Sequence, residues 1–242
     1  MQLSPSPLSS RTVLVTGGNR GIGLAISQQF LDDGYRVAVT HRGSGGPAGA
    51  FGVTCDVTNP KDVDRAFTAV EEAIGPVEIL VLNAGVTSDS LLMRMREDQF
   101  HGVVDTNLYG AWRCARRATP PMLHARWGRM IFISSVSATS GTAGQANYAA
   151  SKSALTGLAR SITRELGPRN ITANVVSPGW IDTDMTAALP PSHRAEVIKG
   201  IPLGRAGTTG DVAGVVTWLA GEAGAYVSGA VIPVDGGLGM GC

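Results

Sequence analysis

A chain of 242 residues with a formal net charge of +1 is long enough to bury one large core, and its balanced charge excludes a dedicated nucleic-acid binder or an acidic tail. Cys55, Cys114 and Cys242 are widely spaced with no Cys-x-x-Cys pair, which argues against a disulfide framework or a metal site and suits a reducing cytoplasm. The 32 glycines and an aromatic share of only 5% suit helices packed closely on a parallel sheet.

Residues 1–10 carry Pro5 and Pro7 but no long apolar core, so they read as a flexible extension rather than a signal peptide. From there apolar runs alternate with helical periods. Strands are expected at Thr12–Thr16, Arg36–Thr40, Phe51–Cys55, Glu78–Leu82, Arg129–Ser134, Thr172–Ser177 and Ala230–Val234. Helices are expected near Ile22–Asp33, Lys61–Ile74, Glu97–Ala125, Tyr148–Leu166 and Asp211–Ala220. This alternation predicts an α/β fold: a single domain over 1–242, with a Rossmann-like, doubly wound sheet of about seven mostly parallel strands and helices on both faces. The apolar stretch Val212–Val234 is broken by Gly221, Glu222, Gly224, Gly229 and Pro233, so it is not read as a membrane span. The long connection 178–205, with a short helical piece near His193–Lys199, follows a strand and reads as a substrate lid.

The turn Thr16-Gly17-Gly18-Asn19-Arg20-Gly21-Ile22-Gly23 joins the first strand to the first helix. Its glycines at 17, 21 and 23 let backbone amides approach a pyrophosphate, and the helix N-terminus adds partial positive charge. An NAD site expects an acid after the second strand, yet His41-Arg42 stands there and no Asp or Glu lies between Asp33 and Asp56. Arg42, joined by Arg20, can grip the extra phosphate of NADP, so NADPH/NADP+ is the expected cofactor. Asp56, followed by Val57, ends the third strand; its carboxylate can accept from the adenine amine or cap the next helix. After the fourth strand, Asn83-Ala84-Gly85 brings bare backbone close to the cofactor.

Tyr148 and Lys152 stand four apart on one helical face. Hydride transfer to a ketone develops an alkoxide that must be protonated. A free tyrosine, at about pH 10, is weakly acidic for that task. A lysine ammonium and an oxidised nicotinamide would both favour the phenolate, and Lys152 can also hold the ribose hydroxyls. Ser135 closes the fifth strand and can hold the substrate oxygen. Asn107 can bind a relay water or serve as a satisfied buried amide.

These pieces, with Pro178-Gly179, resemble in order the short-chain dehydrogenase/reductases across nearly the whole chain. The resemblance implies a catalytic tetrad of Asn107, Ser135, Tyr148 and Lys152, a cofactor site that includes Asn19, Ile22, Pro178 and Gly179, Ile181 and Thr183 closing over the nicotinamide, and a homotetramer. One departure is Leu82, where the family commonly has Asn. Within the family, Leu91–Met95, Gly144–Tyr148 and Gly179–Met185 resemble the 3-oxoacyl-[acyl-carrier-protein] reductases, closest to actinobacterial members. That implies reduction of carrier-bound 3-oxoacyl groups in fatty acid biosynthesis. An acidic acyl carrier protein would then dock on Arg126 and Arg169, which match the family's basic docking positions, with Arg129 and Arg164 beside them, all expected near the rim of the active site. An acetoacetyl-CoA reductase, another ketone reductase and a non-catalytic dinucleotide sensor are the competing readings.

Overall fold

The computed structural model describes residues 10–43, 45–183 and 191–240, the side chains of 191–193 excepted. The expected extension 1–10 (apart from Ser10), the lid residues 184–190 and Cys242 lie outside the described residues.

Seven strands form one parallel sheet in the order β3-β2-β1-β4-β5-β6-β7. They are β1 (Thr12–Val15), β2 (Arg36–His41), β3 (Phe51–Thr54), β4 (Val77–Leu82), β5 (Gly128–Ile133), β6 (Ile171–Pro178) and β7 (Val231–Val234). The connecting helices are α1 (Gly21–Asp32), α2 (Pro60–Ile74), α3 (Glu97–Val104), α4 (Gly110–Ala125), the four-residue α5 (Ser137–Ser140), α6 (Ala146–Leu166), α7 (Pro191–Lys199) and α8 (Thr209–Ala220).

Side chains alternate across each strand, and two cores follow from that alternation. Leu14, Leu80, Met130, Phe132 and Val175 pack under α2, α4 and α6 through Phe67, Cys114, Met122 and Leu155. Val13, Val15, Ile79, Val81, Ile131 and Val176 pack on the other face under α1 and α8 through Ile26, Phe30, Val212 and Leu219. Burial on both faces explains why the strands read as unbroken apolar runs. The strand order reverses between β1 and β4, which opens a crevice at their carboxyl ends.

Two expectations change. The helix expected over 97–125 is interrupted by a π-helical turn at Asp105–Tyr109. Asp105 pairs with Arg113 at 2.8 Å, and Asn107 is drawn inward by Val86, contacts that are invisible to helical periodicity. The third strand ends at Thr54, and Asp56 sits in the turn beyond it.

Candidate active site

The glycine turn is built by contacts that tolerate no side chain. Gly17 and Gly21 take φ of 65° and 52°, in the left-handed region that favours glycine. A Cβ on Gly23 would lie 2.4 Å from the Gly17 carbonyl oxygen, and one on Gly18 would lie 2.6 Å from Val39 Cγ1. Gly18 therefore belongs to the turn as firmly as the three glycines singled out by spacing. The Gly17 amide donates to Thr40 Oγ1 at 3.0 Å, tying the turn to β2. Arg20 at the N-cap of α1 makes no side-chain cap bond and is exposed beside the turn. The cradle fits a dinucleotide pyrophosphate: bare backbone, left-handed glycines and a helix N-terminus at the crevice.

Thr16 links this turn to the one after β4. Its Oγ1 accepts from the amides of Asn83 and Ala84, and Asn83 Nδ2 donates to the carbonyls of Thr16 and Gly17. Leu82 points into the α2–α4–α6 core, and the bracing bonds are carried by Asn83. From β6, Pro178 and Gly179 continue beside β7, the Gly179 amide donating to Val234 O. Ile181 is buried, and Thr183 Cγ2 lies 3.9 Å from where a Gly21 Cβ would stand, so the segment after β6 closes against the phosphate turn. Asn19 and Ile22 lie in and beside that turn.

At the adenine end, Arg42 is exposed after β2, and its charge helps hold the Asp56 carboxyl below the usual carboxylate range. The larger causes of that lowering are the Thr58 amide and hydroxyl, both bonded to Asp56 Oδ1. Asp56 thus closes its own turn, and Asn59 caps α2 instead. The Val57 side chain is buried against Gly110, so only its main chain can face an adenine.

Ser135, Tyr148, Lys152 and Asn107 come together at the carboxyl ends of β4 and β5. Ser135 stands close enough to the Tyr148 phenol to favour its ionised form, and its Oγ accepts from the Ser137 amide at 3.2 Å. Lys152 Nζ donates to Ile133 O at 2.7 Å and lies 5.8 Å from the Tyr148 ring centroid. Burial pushes Lys152 down to about 8. Asn107 is buried: Oδ1 accepts from Val86 N, and Nδ2 donates to Val86 O and Ser151 Oγ. Both amide hydrogens are therefore used, and one acceptor position on Oδ1 remains. A Cβ on Gly85 would sit 3.3 Å from both Asn107 Oδ1 and Lys152 Nζ. The absent side chain keeps the space between those two groups open.

In the cofactor-free site burial raises the Tyr148 pKa, the nearby Ser135 hydroxyl counters it, and Asp89 raises it further.

Residues 17–239 match the family model described as enoyl-(acyl carrier protein) reductase. The chain belongs to the short-chain dehydrogenase/reductase family. The 3-oxoacyl-[acyl-carrier-protein] reductase MabA of Mycobacterium tuberculosis is 61% identical over 235 residues, covering 97% of this chain and 95% of the relative. MabA of Mycobacterium avium is 57% identical, covering 96% and 91%. The 3-oxoacyl-[acyl-carrier-protein] reductase FabG of Staphylococcus aureus is 41% identical, covering 96% and 99%. Among the described residues no helix is long and apolar enough to cross a membrane.

The expected docking arginines are not at this rim. Arg129 is 1% exposed, 4.3 Å from the Trp127 ring centre, and donates to the carbonyls of Gly128 and Asn170. It is a core residue. Arg126 precedes β5, while Arg164 and Arg169 lie at the far end of α6. All three are exposed at the amino edge of the sheet, whereas Ser135 and Tyr148 are at the carboxyl edge. The span of α6 separates them by roughly 25–30 Å.

Proposed function

We propose that this chain reduces 3-oxoacyl groups on acyl carrier protein to 3-hydroxyacyl groups with NADPH, in cytoplasmic fatty acid biosynthesis. The observation that carries this reading is the convergence of Ser135, Tyr148 and Lys152 beside Gly85 and the glycine turn. The relatives' names supply the substrate class.

NADPH, when bound, supplies the hydride to the ketone carbon. Gly17 to Gly23 would hold its pyrophosphate, Arg20 and Arg42 its extra phosphate, and Asp56 and the Val57 main chain its adenine. Asn83-Ala84-Gly85, Pro178, Gly179, Ile181 and Thr183 would hold its nicotinamide half. Ser135 Oγ donates to the ketone oxygen and fixes its orientation. Tyr148 gives the phenolic proton as negative charge builds on that oxygen. Lys152, titrating at about 8, can replace that proton at neutral pH and also holds the ribose hydroxyls. A water in the space kept by Gly85 would donate to Asn107 Oδ1 and connect Lys152 to solvent.

A homotetramer fits the exposed outer surface. Trp112 and Trp218 are 41% and 44% exposed, and Gly102 and Gly157 face open space on α3 and α6. A monomeric mass at micromolar concentration in analytical ultracentrifugation would refute assembly.

The deciding assay follows NADPH oxidation with 3-oxoacyl groups on carrier protein and on coenzyme A. A 2-enoyl thioester of equal length and a sugar ketone are the controls. Preference for the carrier-bound ketone supports the reading. Equal turnover on coenzyme A would favour an acetoacetyl-CoA reductase, and binding without turnover a sensor.

A further inference from the structure

Residues 88–90, between β4 and α3, are laced to the start of α6. Asn147 Nδ2 donates to Ser88 O at 2.9 Å and Gln99 O at 3.4 Å, and Gln99 Nε2 donates to Ser88 Oγ at 3.2 Å. The Ser90 amide donates to Gly144 O at 2.8 Å. Gln145 Nε2 donates to Asp89 Oδ2 at 2.9 Å. Asn147 is fully buried, so this seam is anchored in the interior and is no loose surface contact. Gln145 is the N-cap of α6 and Tyr148 stands three residues later. The seam therefore holds the Asp89 carboxylate against the turn that carries the phenol.

We propose that Asp89 is a positioning residue that acts on Tyr148 through the field of its carboxylate. Held by Gln145 across the first turn of α6, it keeps the phenol protonated and suits the site to donating a proton rather than abstracting one. This rests on Tyr148 being the proton donor. Reduction of a ketone needs the phenol, and oxidation of the alcohol needs the phenolate. Asp89 leaves the overall equilibrium unchanged and shifts the pH at which each direction runs.

The other groups around Tyr148 do not supply this field. Lys152, on the same helix and 5.8 Å from the ring centroid, carries charge of the opposite sign. Ser135, after β5, offers a hydroxyl, and α5 and β6 carry no charged side chain. Asp105 of the π turn is paired with Arg113, and Asp98 of α3 with Arg96. Asp182 after β6 is paired with Arg194, while Glu97 and His101 of α3 are exposed. Asp89 acts on the phenol in the same direction as burial. Because Asp89 is exposed, solvent and salt screen it.

The test is a pH–rate profile of Asp89→Asn, which retains an acceptor for Gln145, beside Asp89→Glu. The limb that reports Tyr148 should move about half a unit toward lower pH in Asp89→Asn and stay in place in Asp89→Glu. Added salt should move the unmodified protein toward Asp89→Asn and leave Asp89→Asn unmoved. A substrate-independent arm titrates phenolate absorbance in the near ultraviolet with NADP+ present. There the Tyr148 signal is isolated by subtracting Tyr148→Phe from the unmodified protein, and Asp89→Asn/Tyr148→Phe from Asp89→Asn. The same half-unit displacement supports the proposal even if 3-oxoacyl thioesters prove not to be the substrate. Coincident titrations, or equal displacement in Asp89→Asn and Asp89→Glu, overturn it.

Discussion

Lys152 Nζ donates to the carbonyl of Ile133, the last residue of β5, at 2.7 Å, and passes the Tyr148 ring centre at 5.8 Å. A single donated bond leaves the ammonium poorly solvated, which is why burial brings it from 10.5 to about 8. Between those values the unfolded chain holds a proton that the folded chain lacks, so stability rises with pH across that window. Below about 8 both states are charged and the full cost of burial is present. Lys152→Met should therefore stabilise the cofactor-free protein at pH 7 by about 3 kcal/mol and raise its thermal midpoint accordingly. That gain should vanish as pH passes the unfolded value, and thermal melts of both proteins across pH check it. Turnover should be lost throughout, together with much of the affinity for NADPH.

Tyr148→Phe removes the proton donor and leaves the ring in place. Reduction should fall at least about 100-fold, with NADPH affinity nearly unchanged. Steady-state rates alongside fluorescence titration of NADPH separate the two. Retention of most activity would mean that the proton comes from another group.

Arg42→Asp should erode the preference for NADPH over NADH. A carboxylate there repels the extra phosphate and accepts from the ribose hydroxyls. The ratio of kcat/KM for the two cofactors is the measurement, and equal use of both by the unmodified protein would sink the idea.

Gly85→Ala places a methyl 3.3 Å from both Asn107 Oδ1 and Lys152 Nζ, where a bridging water would stand. The fold should survive, since no left-handed backbone is required at this glycine. Turnover should drop roughly tenfold, with its solvent isotope effect enlarged as proton return becomes slower. An unchanged rate would remove the water relay from the mechanism.

Arg126→Glu and Arg169→Glu test the carrier. The arginines lie 25–30 Å from Tyr148 within one subunit (roughly the length of α6), so a carrier seated on them has to deliver its thioester across that span or to a neighbouring subunit. A salt-dependent loss confined to carrier-bound substrate is expected, with small thioesters unaffected. Equal effects on both substrates would leave the arginines as ordinary surface.

The local signals were readable because each is short. Buried parallel strands write themselves as apolar runs, and Tyr148 with Lys152, or Gly17 with Gly21 and Gly23, fall within one turn of chain. The π turn at Asp105–Tyr109 was not readable, because Val86 and Arg113 make it from outside the segment. Gly18 was passed over since its neighbours, Val39 and Ser27, are distant in sequence. Arg129 reads as a surface charge until Trp127 is seen to cover it. The far placement of Arg126 and Arg169 was available in principle: a residue just before a parallel strand lies at the amino edge, and a helix after one strand runs back there. The weakened acidity of Tyr148 depends on burial, which spacing does not report.

The all-parallel order also sets a sequence of events during synthesis. β1 leaves the ribosome early, yet its partner β4 is encoded about sixty residues later, so one edge of the central strand stays open meanwhile. The glycine turn hangs from that half-built strand, and Asn83, which ties it to Thr16, arrives just behind β4. The phosphate cradle therefore cannot be complete before residue 83, nor the proton donor in place before residue 148. Chains truncated between residue 83 and the start of β5 should present a cofactor cradle with no chemistry attached, and an unpaired edge on β4 that a holdase can grip.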